Sequence, residues 1–402
     1  MTWMLKYITA ALLTLALFTS FAIADTHRDL TFSGFARVVG GQLSTSEASY
    51  ANYDNSWSFS EDSLIALQAD YAINSQFSIS AQGILHTGAD RDSGLDWLYL
   101  TYQPSSSWQF NVGRLRLPVL KYSDVIDVGF SYPWLNAPEQ VYSRRLFYSG
   151  YEGLNVRHKT QFKNVGLEIE GYWGDFDGEL FSGQDAFDVD INDIYGAVLS
   201  LTYDGFHFRS SFMRVTEVVD NSVLIDQLVE GLTSAGFEEL AAKFRLDDGV
   251  SVYEFGAGYT SLDWFVSAEL MSVDSDLDVL SGIKSYYLTL GRYYNSLLFH
   301  ATISRSRQDE NSIENTIPLG VSPLFDLLST SVDSINALFP TDDLDSLTFG
   351  VRWDYSTSLA LKTEVSFLKG KEDKTSLFYV PPTNANFDRR ASLYQVGVEW
   401  VF

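Results

Sequence analysis

The last ten residues, LYQVGVEWVF (393–402), alternate apolar and mostly polar side chains and end the chain on an aromatic ring. Apolar residues occupy every second position from Tyr394 to Phe402, with Gln395, Gly397 and Glu399 between them. A period of two predicts a β-strand with one apolar face. Because the strand stops flush on Phe402 without a polar tail, we expect its last side chain to lie at a membrane interface.

The first 24 residues carry a single Lys6, an apolar run from Ile8 to Ile23, and small residues at Ala22 and Ala24. This pattern predicts a secretory signal that is cleaved before Asp25. An N-terminal transmembrane anchor is the alternative, but the run is about sixteen residues long, against the roughly twenty that span a bilayer. We therefore expect residues 1–24 to be removed and residues 25–402 to form one domain.

Composition excludes several classes of protein. With 52 acidic and 27 basic residues, the chain has a formal charge of −25, which disfavours nucleic acid as a partner. It has no cysteine, so it can form neither disulfides nor thiolate metal sites. Aromatic residues make up 15% of the chain and accompany 28 glycines. Both values are typical of a membrane-spanning β-barrel with interfacial aromatic belts.

Downstream of the signal, alternating segments of about ten residues are joined by connections of two very different lengths. Short turns of Asn, Asp, Gly, Ser or Pro lie near residues 74–75, 103–108, 162–166, 203–206, 260–264, 294–298 and 355–359. The long connections are 40–62, 86–94, 115–150, 175–192, 219–250, 274–284, 308–346 and 370–390.

Seven short turns and eight long loops join sixteen strands and leave both termini on the short-turn side. An even strand number with this alternation predicts an all-β, antiparallel, sixteen-stranded transmembrane barrel with short periplasmic turns and long extracellular loops. Closure also removes the exposed edges of an open sheet. A β-propeller or double sandwich would also have many short strands, but it would lack the strict long–short alternation.

The chain resembles the general porin family of Gram-negative bacteria, which are sixteen-stranded trimeric diffusion channels. The resemblance covers the mature chain and depends on the N-terminal strand LTFSGFARVVGG (30–41), the terminal YQVGVEWVF (394–402) and an unusually long third long loop. It implies an outer-membrane location, a homotrimer, contact with lipid and lipopolysaccharide, and insertion by the barrel-assembly machinery. In that comparison Tyr394, Trp400 and Phe402 correspond to the assembly signal.

The third long loop, residues 115–150, contains many apolar side chains, among them Val119, Leu120, Phe130 and Trp134. A loop of this composition must pack against something, either the inner barrel wall or a neighbouring subunit. In the porin family it folds into the lumen and narrows it, and loop acids face a wall of arginines. The resemblance therefore implies constriction acids at Asp124, Asp127 and Glu139, and pore-wall cations at Arg37, Arg114, Arg116, Arg157, Arg209 and Arg352. Side-chain parity independently points Arg37, Arg157, Arg209 and Arg352 into the lumen.

These features predict passive diffusion of small hydrophilic solutes and ions, with a mild cation preference because acids outnumber bases. A substrate-selective channel is the alternative, in which Tyr122, Phe130, Tyr132, Trp134 and Tyr142 form a stacking track for sugars. An enzymatic barrel is disfavoured, since none of the five histidines has a serine at the two-residue spacing of the outer-membrane phospholipase. The sequence leaves acid pairs for an omptin-like protease open, but that barrel is ten-stranded and much shorter. No cofactor is implied.

Two further patterns fall in the long connections. DVDIND (188–193) begins like a calcium loop, but Asp193 replaces the required Gly and Leu199 the required Glu, so an EF-hand is excluded. Non-specific divalent binding there stays open. Residues 223–246 and 322–339 have helical periodicity and predict short amphipathic helices, which cap the barrel mouth, plug the pore or contact a partner.

Overall fold

A computed structural model describes residues 29–88, 93–142, 150–182, 185–220, 223–245, 249–278, 280–309, 313–338, 343–371, 374, 376–384 and 386–402. The proposed signal, residues 1–24, lies outside these ranges. The barrel strands are β1 (Leu30–Leu43), β2 (Leu64–Ala72), β3 (Phe77–His86), β4 (Gly94–Ser105), β5 (Trp108–Arg116), β6 (Gly150–Phe162), β7 (Val165–Ser182), β8 (Asp185–Tyr203), β9 (Phe206–Val215, continued by Glu217–Asp220), β10 (Val250–Thr260), β11 (Trp264–Ser275), β12 (Ile283–Tyr294), β13 (Leu297–Gln308), β14 (Leu344–Asp354), β15 (Leu359–Gly370) and β16 (Arg390–Val401).

Each strand pairs antiparallel with its neighbours in sequence, and the first strand pairs with the last. In β1, Phe35 faces Val401 of β16 on one side, and Leu30 faces Tyr71 of β2 on the other. The predicted closed sixteen-stranded barrel is therefore confirmed. Closure satisfies the backbone hydrogen bonds of all strands, which is the condition for crossing hydrocarbon.

The C-terminal strand has the two faces that its alternation predicts. Tyr394 and Val398 are 45% and 43% exposed on the outside of the barrel, whereas Gln395 and Glu399 are 3% and 1% exposed on the inside. The same division recurs in the other strands, for instance at Ile303 outside and Thr302 inside. The barrel consequently presents an apolar outer surface and a polar inner surface.

Aromatic rings gather on the outer surface close to the short turns. Phe77 stacks on Tyr102 with ring centroids 4.7 Å apart, and Trp400 lies 4.6 Å from Phe402. Such a band fits the membrane–water interface, where amphipathic rings are most stable. The turns themselves are tight: Asp204 and Gly205 both have positive φ angles, 45° and 83°, as the right-handed twist of a two-residue hairpin requires.

One predicted loop is wrong. Residues 175–182 and 185–192 form the ends of β7 and β8, which pair from Phe176–Ile191 to Ser182–Asp185 after an irregularity at Gly174. Alternation continues through this acidic segment in the sequence, and the ladder continues with it. DVDIND lies in β8, and Glu217–Asp220 pairs beside it.

The predicted helical segments are confirmed as α1 (Val223–Ser234), α2 (Glu238–Ala242) and α3 (Pro323–Leu338). They share an apolar core at the long-loop end of the barrel, built around Leu232, Phe244 and Val332. Within the described residues, no helix is long and apolar enough to cross a membrane.

Candidate pore constriction

The third long loop follows β5 and is described from Leu117 to Tyr142. It contains two 3₁₀ turns, Ser123–Val125 and Gly129–Ser131, and then a Pro-rich segment. Trp134 donates from Nε1 to Thr302 Oγ1 at 2.8 Å, and the Leu135 amide donates to Glu364 Oε1 at 2.7 Å. Both acceptors belong to the inward faces of β13 and β15, so the loop lies inside the barrel and packs on its wall.

The loop carries its own aromatic core. The Trp134 ring packs edge-on against Tyr287 of β12 at 5.2 Å, and Tyr122 and Tyr132 lie within 6.0 Å of Trp134. Tyr132, Trp134 and Tyr142 are almost completely buried in the largest apolar cluster of the protein. These three rings are therefore used for packing and are not available as a stacking track for sugars.

Glu269 of β11 organises the centre of this core, and sequence reasoning missed it. Its carboxylate accepts hydrogen bonds from the Lys121 amide at 2.9 Å, from Tyr287 Oη at 2.6 Å and from Tyr142 Oη. Burial raises the pKa of Tyr142, and the adjacent Glu269 raises it further, so the phenol stays protonated and donates. The inward parity of Glu269 was the signal that could have identified it.

A lysine on the inner wall of the barrel donates hydrogen bonds to the loop backbone. Lys362 of β15 donates from Nζ to the carbonyl oxygens of Gly129, Tyr132 and Trp134 at 2.7, 2.9 and 2.6 Å. Its charge is balanced by Glu399 of β16 at 2.7 Å. A buried ammonium with this many partners fixes the loop at one height in the barrel.

Arg37 and Arg352 have the same role. Arg352 donates to the carbonyls of Phe130 and Tyr132 at 2.7 and 3.1 Å, and Arg37 donates to the carbonyl of Leu135 at 2.9 Å. Arg37 also contacts Tyr132 Oη and Asn136. The structure thus places both guanidiniums at the inner wall, where their donors are used by the loop.

Arg209 holds the start of the loop. Its guanidinium donates to the carbonyls of Val119, at 2.8 Å, and Pro118, and pairs with Glu254 of β10 at 2.6 Å. Its side chain is 13% exposed, and that of Arg352 is 11% exposed. Little of either side chain is therefore accessible to a solute in the lumen.

Arg116 and Asp127 form a buried pair at the root of the loop. Arg116 also binds Asp96 of β4 at 2.8 Å, and the Asp127 side chain is almost fully buried. Asp127 therefore ties the loop to the wall instead of projecting into open lumen. Glu139 lies half-buried in the second half of the loop. The neighbouring Gln140 accepts a hydrogen bond from the Ser304 hydroxyl.

Arg114 is not a pore-wall residue, and its assignment needs correction. It pairs in register with Leu98 and Glu152, next to the Val112–Leu154 pair, and all of these positions are exposed on the outer face. Sequence proximity to the loop suggested the lumen, but the period of two in β5 puts Arg114 on the side opposite Leu115. A one-residue difference reverses the face.

Arg157 of β6 is the most accessible of the predicted wall cations that face inward, with its side chain 26% exposed. It pairs with Glu168 and Glu170 of β7, both at 3.1 Å. Asp124 of the loop interacts electrostatically with Arg157 and Glu170. Asp124 thus lies within electrostatic range of this part of the wall.

Tyr394, Trp400 and Phe402 all lie on the outer face of β16. The last residue is part of the closure: Phe402 accepts from the Gly34 amide at 2.8 Å and donates back at 3.0 Å. Its ring covers Gly34 so closely that a Cβ there would overlap it.

Comparison with known proteins identifies relatives by shape alone, since neither a family model nor a curated protein matches the sequence. Salmonella typhi OmpF, solved with daunomycin, is similar with a TM-score of 0.54 and 11% identity over 94% of this chain and 100% of its own. An anion-selective porin from Comamonas acidovorans gives 0.54 and 11%, covering 93% and 99%. OmpT, an outer membrane protein of Vibrio cholerae, gives 0.53 and 11%, covering 94% and 99%.

The chain therefore has the fold of the general porins, sixteen-stranded barrels of the Gram-negative outer membrane. Its apolar outer surface and aromatic band agree with that location.

Proposed function

We propose that the protein is an outer-membrane channel through which small hydrophilic solutes and ions diffuse passively, and that it has no enzymatic activity. The observation that carries this proposal is a loop fixed inside a closed barrel by the side chains of its inner wall. Wall cations bind the carbonyls of Gly129, Tyr132 and Trp134. The loop is therefore held inside the barrel and narrows its lumen. A narrowed polar passage is what selective diffusion requires.

The proposed passage prefers cations. Three wall cations, Arg37, Arg209 and Arg352, have loop carbonyls as partners, which weakens their field in the lumen. Asp124 faces a wall where Arg157 is already paired with two glutamates. With 52 acidic residues against 27 basic ones, the mouths add to the same preference.

Residues 1–24 act as a cleaved export signal in this proposal, and the C-terminal strand with Tyr394, Trp400 and Phe402 directs insertion by the barrel-assembly machinery. A homotrimer in contact with lipopolysaccharide is the proposed assembly. Cross-linking of the purified protein in detergent measures its subunit number.

Reconstitution into planar bilayers tests the channel. We expect single-channel conductance that rises in proportion to bulk KCl, and a reversal potential of cation-selective sign under a KCl gradient. Absence of conductance from folded protein would refute the proposal. Saturable block of the current by a sugar would instead support the substrate-selective alternative.

A further inference from the structure

A group of charged side chains on β6 and β7 lies on the inner wall and makes no hydrogen bond or ion pair with the described part of the loop. Arg157 Nε lies 3.1 Å from Glu168, and its Nη2 lies 3.1 Å from Glu170. Lys159 Nζ lies 3.2 Å from the second oxygen of Glu168. Two wall carboxylates therefore neutralise the one predicted wall arginine that keeps appreciable access to solvent.

The two glutamates differ in how firmly they are held. Glu170 is 7% exposed, and it accepts a further hydrogen bond from Asn155 Nδ2 at 2.6 Å. Glu168 is 32% exposed, and its only ion pairs in the described part of the chain are with Arg157 and Lys159. Glu170 thus fixes the arginine in place, while Glu168 can still meet ions in the lumen.

Asp124 of the loop lies within electrostatic range of this group, with Glu170, Arg157 and Arg209 as its charged neighbours. Glu168 and Glu170 balance Arg157 and Lys159, and Glu254 balances Arg209, so the Asp124 carboxylate leaves negative charge in excess. Other carboxylates on the inner wall are not accessible to ions in the lumen. Glu254 is buried against Arg209, and Glu269 is buried against tyrosines.

We propose that Glu168 and Glu170 are specificity-determining residues of the channel, which cancel the charge of Arg157 and make the gap between the loop and β6–β7 selective for small cations. This inference depends on the proposed channel function. A carboxylate in a narrow, partly dehydrated passage raises the local cation concentration and repels anions, more strongly than the same charge on an open surface.

The test compares reversal potentials of the full-length mature protein in a KCl gradient. In Glu168→Gln and in the Glu168→Gln/Glu170→Gln pair, we expect the potassium-to-chloride permeability ratio to fall by roughly threefold or more. Arg157→Gln should move the ratio the other way. Glu238→Gln/Glu239→Gln removes the same charge from exposed positions of α2 and serves as the matched control, with an expected change well below that of the wall pair.

Heat-modifiable migration in detergent confirms that each variant has folded. The Glu168 side chain is partly exposed and, among the described hydrogen bonds, makes none to the backbone. Glu168→Gln therefore remains informative if the double variant does not fold. Normal conductance with an unchanged permeability ratio in Glu168→Gln would overturn this inference and leave the channel function intact. Absence of conductance in the unmodified protein would instead refute the channel itself.

Discussion

Lys362 and Glu399 form a buried ion pair 2.7 Å long on adjacent strands, directly behind the loop that narrows the barrel. The lysine shares its remaining donors among three loop carbonyls, so one side chain links two strands of the wall to the loop. Most of the charged side chains that the sequence assigned to the pore lining instead bind the loop and hold it against the barrel wall.

Lys362→Met should therefore release the loop. The substitution leaves Glu399 buried without its counter-ion and removes one hydrogen bond from each of three loop carbonyls, at a cost of about 3–5 kcal/mol. Thermal unfolding in detergent measures this loss, and noisier single-channel current should accompany it. Lys243→Met, at an exposed position directly after α2, should change stability by less than about 0.5 kcal/mol. Equal effects of the two substitutions would contradict the role of Lys362 in holding the loop on the wall.

Gly129→Ala should also disturb the loop. A Cβ at this position would overlap the Glu399 carboxylate, which cannot move without leaving Lys362. We expect a loss of about 1–3 kcal/mol in the free energy of unfolding, the usual cost of overpacking. Gly171→Ala is the matched control, because its Cβ would meet only the Gly196 carbonyl at 3.9 Å. A neutral effect at Gly129 would show that the contact is loose.

Trp134→Ala should remove the centre of the aromatic core of the loop. The side chain is almost fully buried against Tyr287 and donates to Thr302, so a large cavity would remain and Thr302 would lose one hydrogen bond. A loss of about 3–5 kcal/mol is expected from chemical unfolding in detergent. Trp134→Phe should lose less, since it keeps most of the ring contact. A small effect of the alanine variant would imply that the loop collapses onto the wall without its anchor.

Cation preference should depend on pH through Asp124. Burial raises the pKa of this carboxyl above its ordinary value of 3.8, and Glu170 raises it further, whereas Arg157 and Arg209 lower it. As the pH rises through the elevated pKa, the group ionises and the potassium-to-chloride permeability ratio should increase. Because the folded protein disfavours the ionised form, Asp124 contributes less to stability at high pH than at low pH.

Asp124→Asn should abolish that part of the pH dependence and hold the ratio at its low-pH value. Reversal potentials measured from pH 4 upward provide the comparison. Asp127→Asn is the contrasting variant: its carboxylate pairs with the buried Arg116, so it should lose stability and leave the pH profile of selectivity in place. A profile in Asp124→Asn identical to that of the unmodified protein would exclude the carboxyl as the titrating group.

Closure of the barrel should depend on the last residue. The Phe402 ring covers Gly34, and its backbone exchanges two hydrogen bonds with that residue. Phe402→Ala should reduce the yield of folded barrel in the outer membrane, measured by heat-modifiable migration. Tyr394→Ala, on the same face but away from the terminus, should reduce the yield less. Equal yields for both variants would indicate that the terminal ring has no special role.

The path of the strands could be predicted from local residues. Short turns such as Asp204–Gly205 specify hairpins by their own backbone preferences, and the alternation in each strand separates the two faces. The same rule would have given the correct result at 175–192, where acidic composition suggested a loop while the alternation continued into a longer ladder. It would also have placed Arg114 correctly, but nearness to the loop was given more weight than parity.

What each inward charge does was not available from the sequence. Arg37, Arg209 and Arg352 are indistinguishable from Arg157 by pattern, yet the first three bind loop carbonyls and the fourth binds two glutamates. Asp127 likewise resembles Asp124 in sequence but lies in a buried pair with Arg116.

The sequence by itself determined the barrel, its strand number and the two faces of its strands, because a period of two and tight turns act between neighbouring residues. The tertiary structure alone decided which charges hold the loop and which border the lumen. Contacts such as Lys362 with Gly129, or Glu364 with Leu135, join residues far apart in the chain. Their partners are chosen by how the loop docks on the wall, which no local pattern encodes.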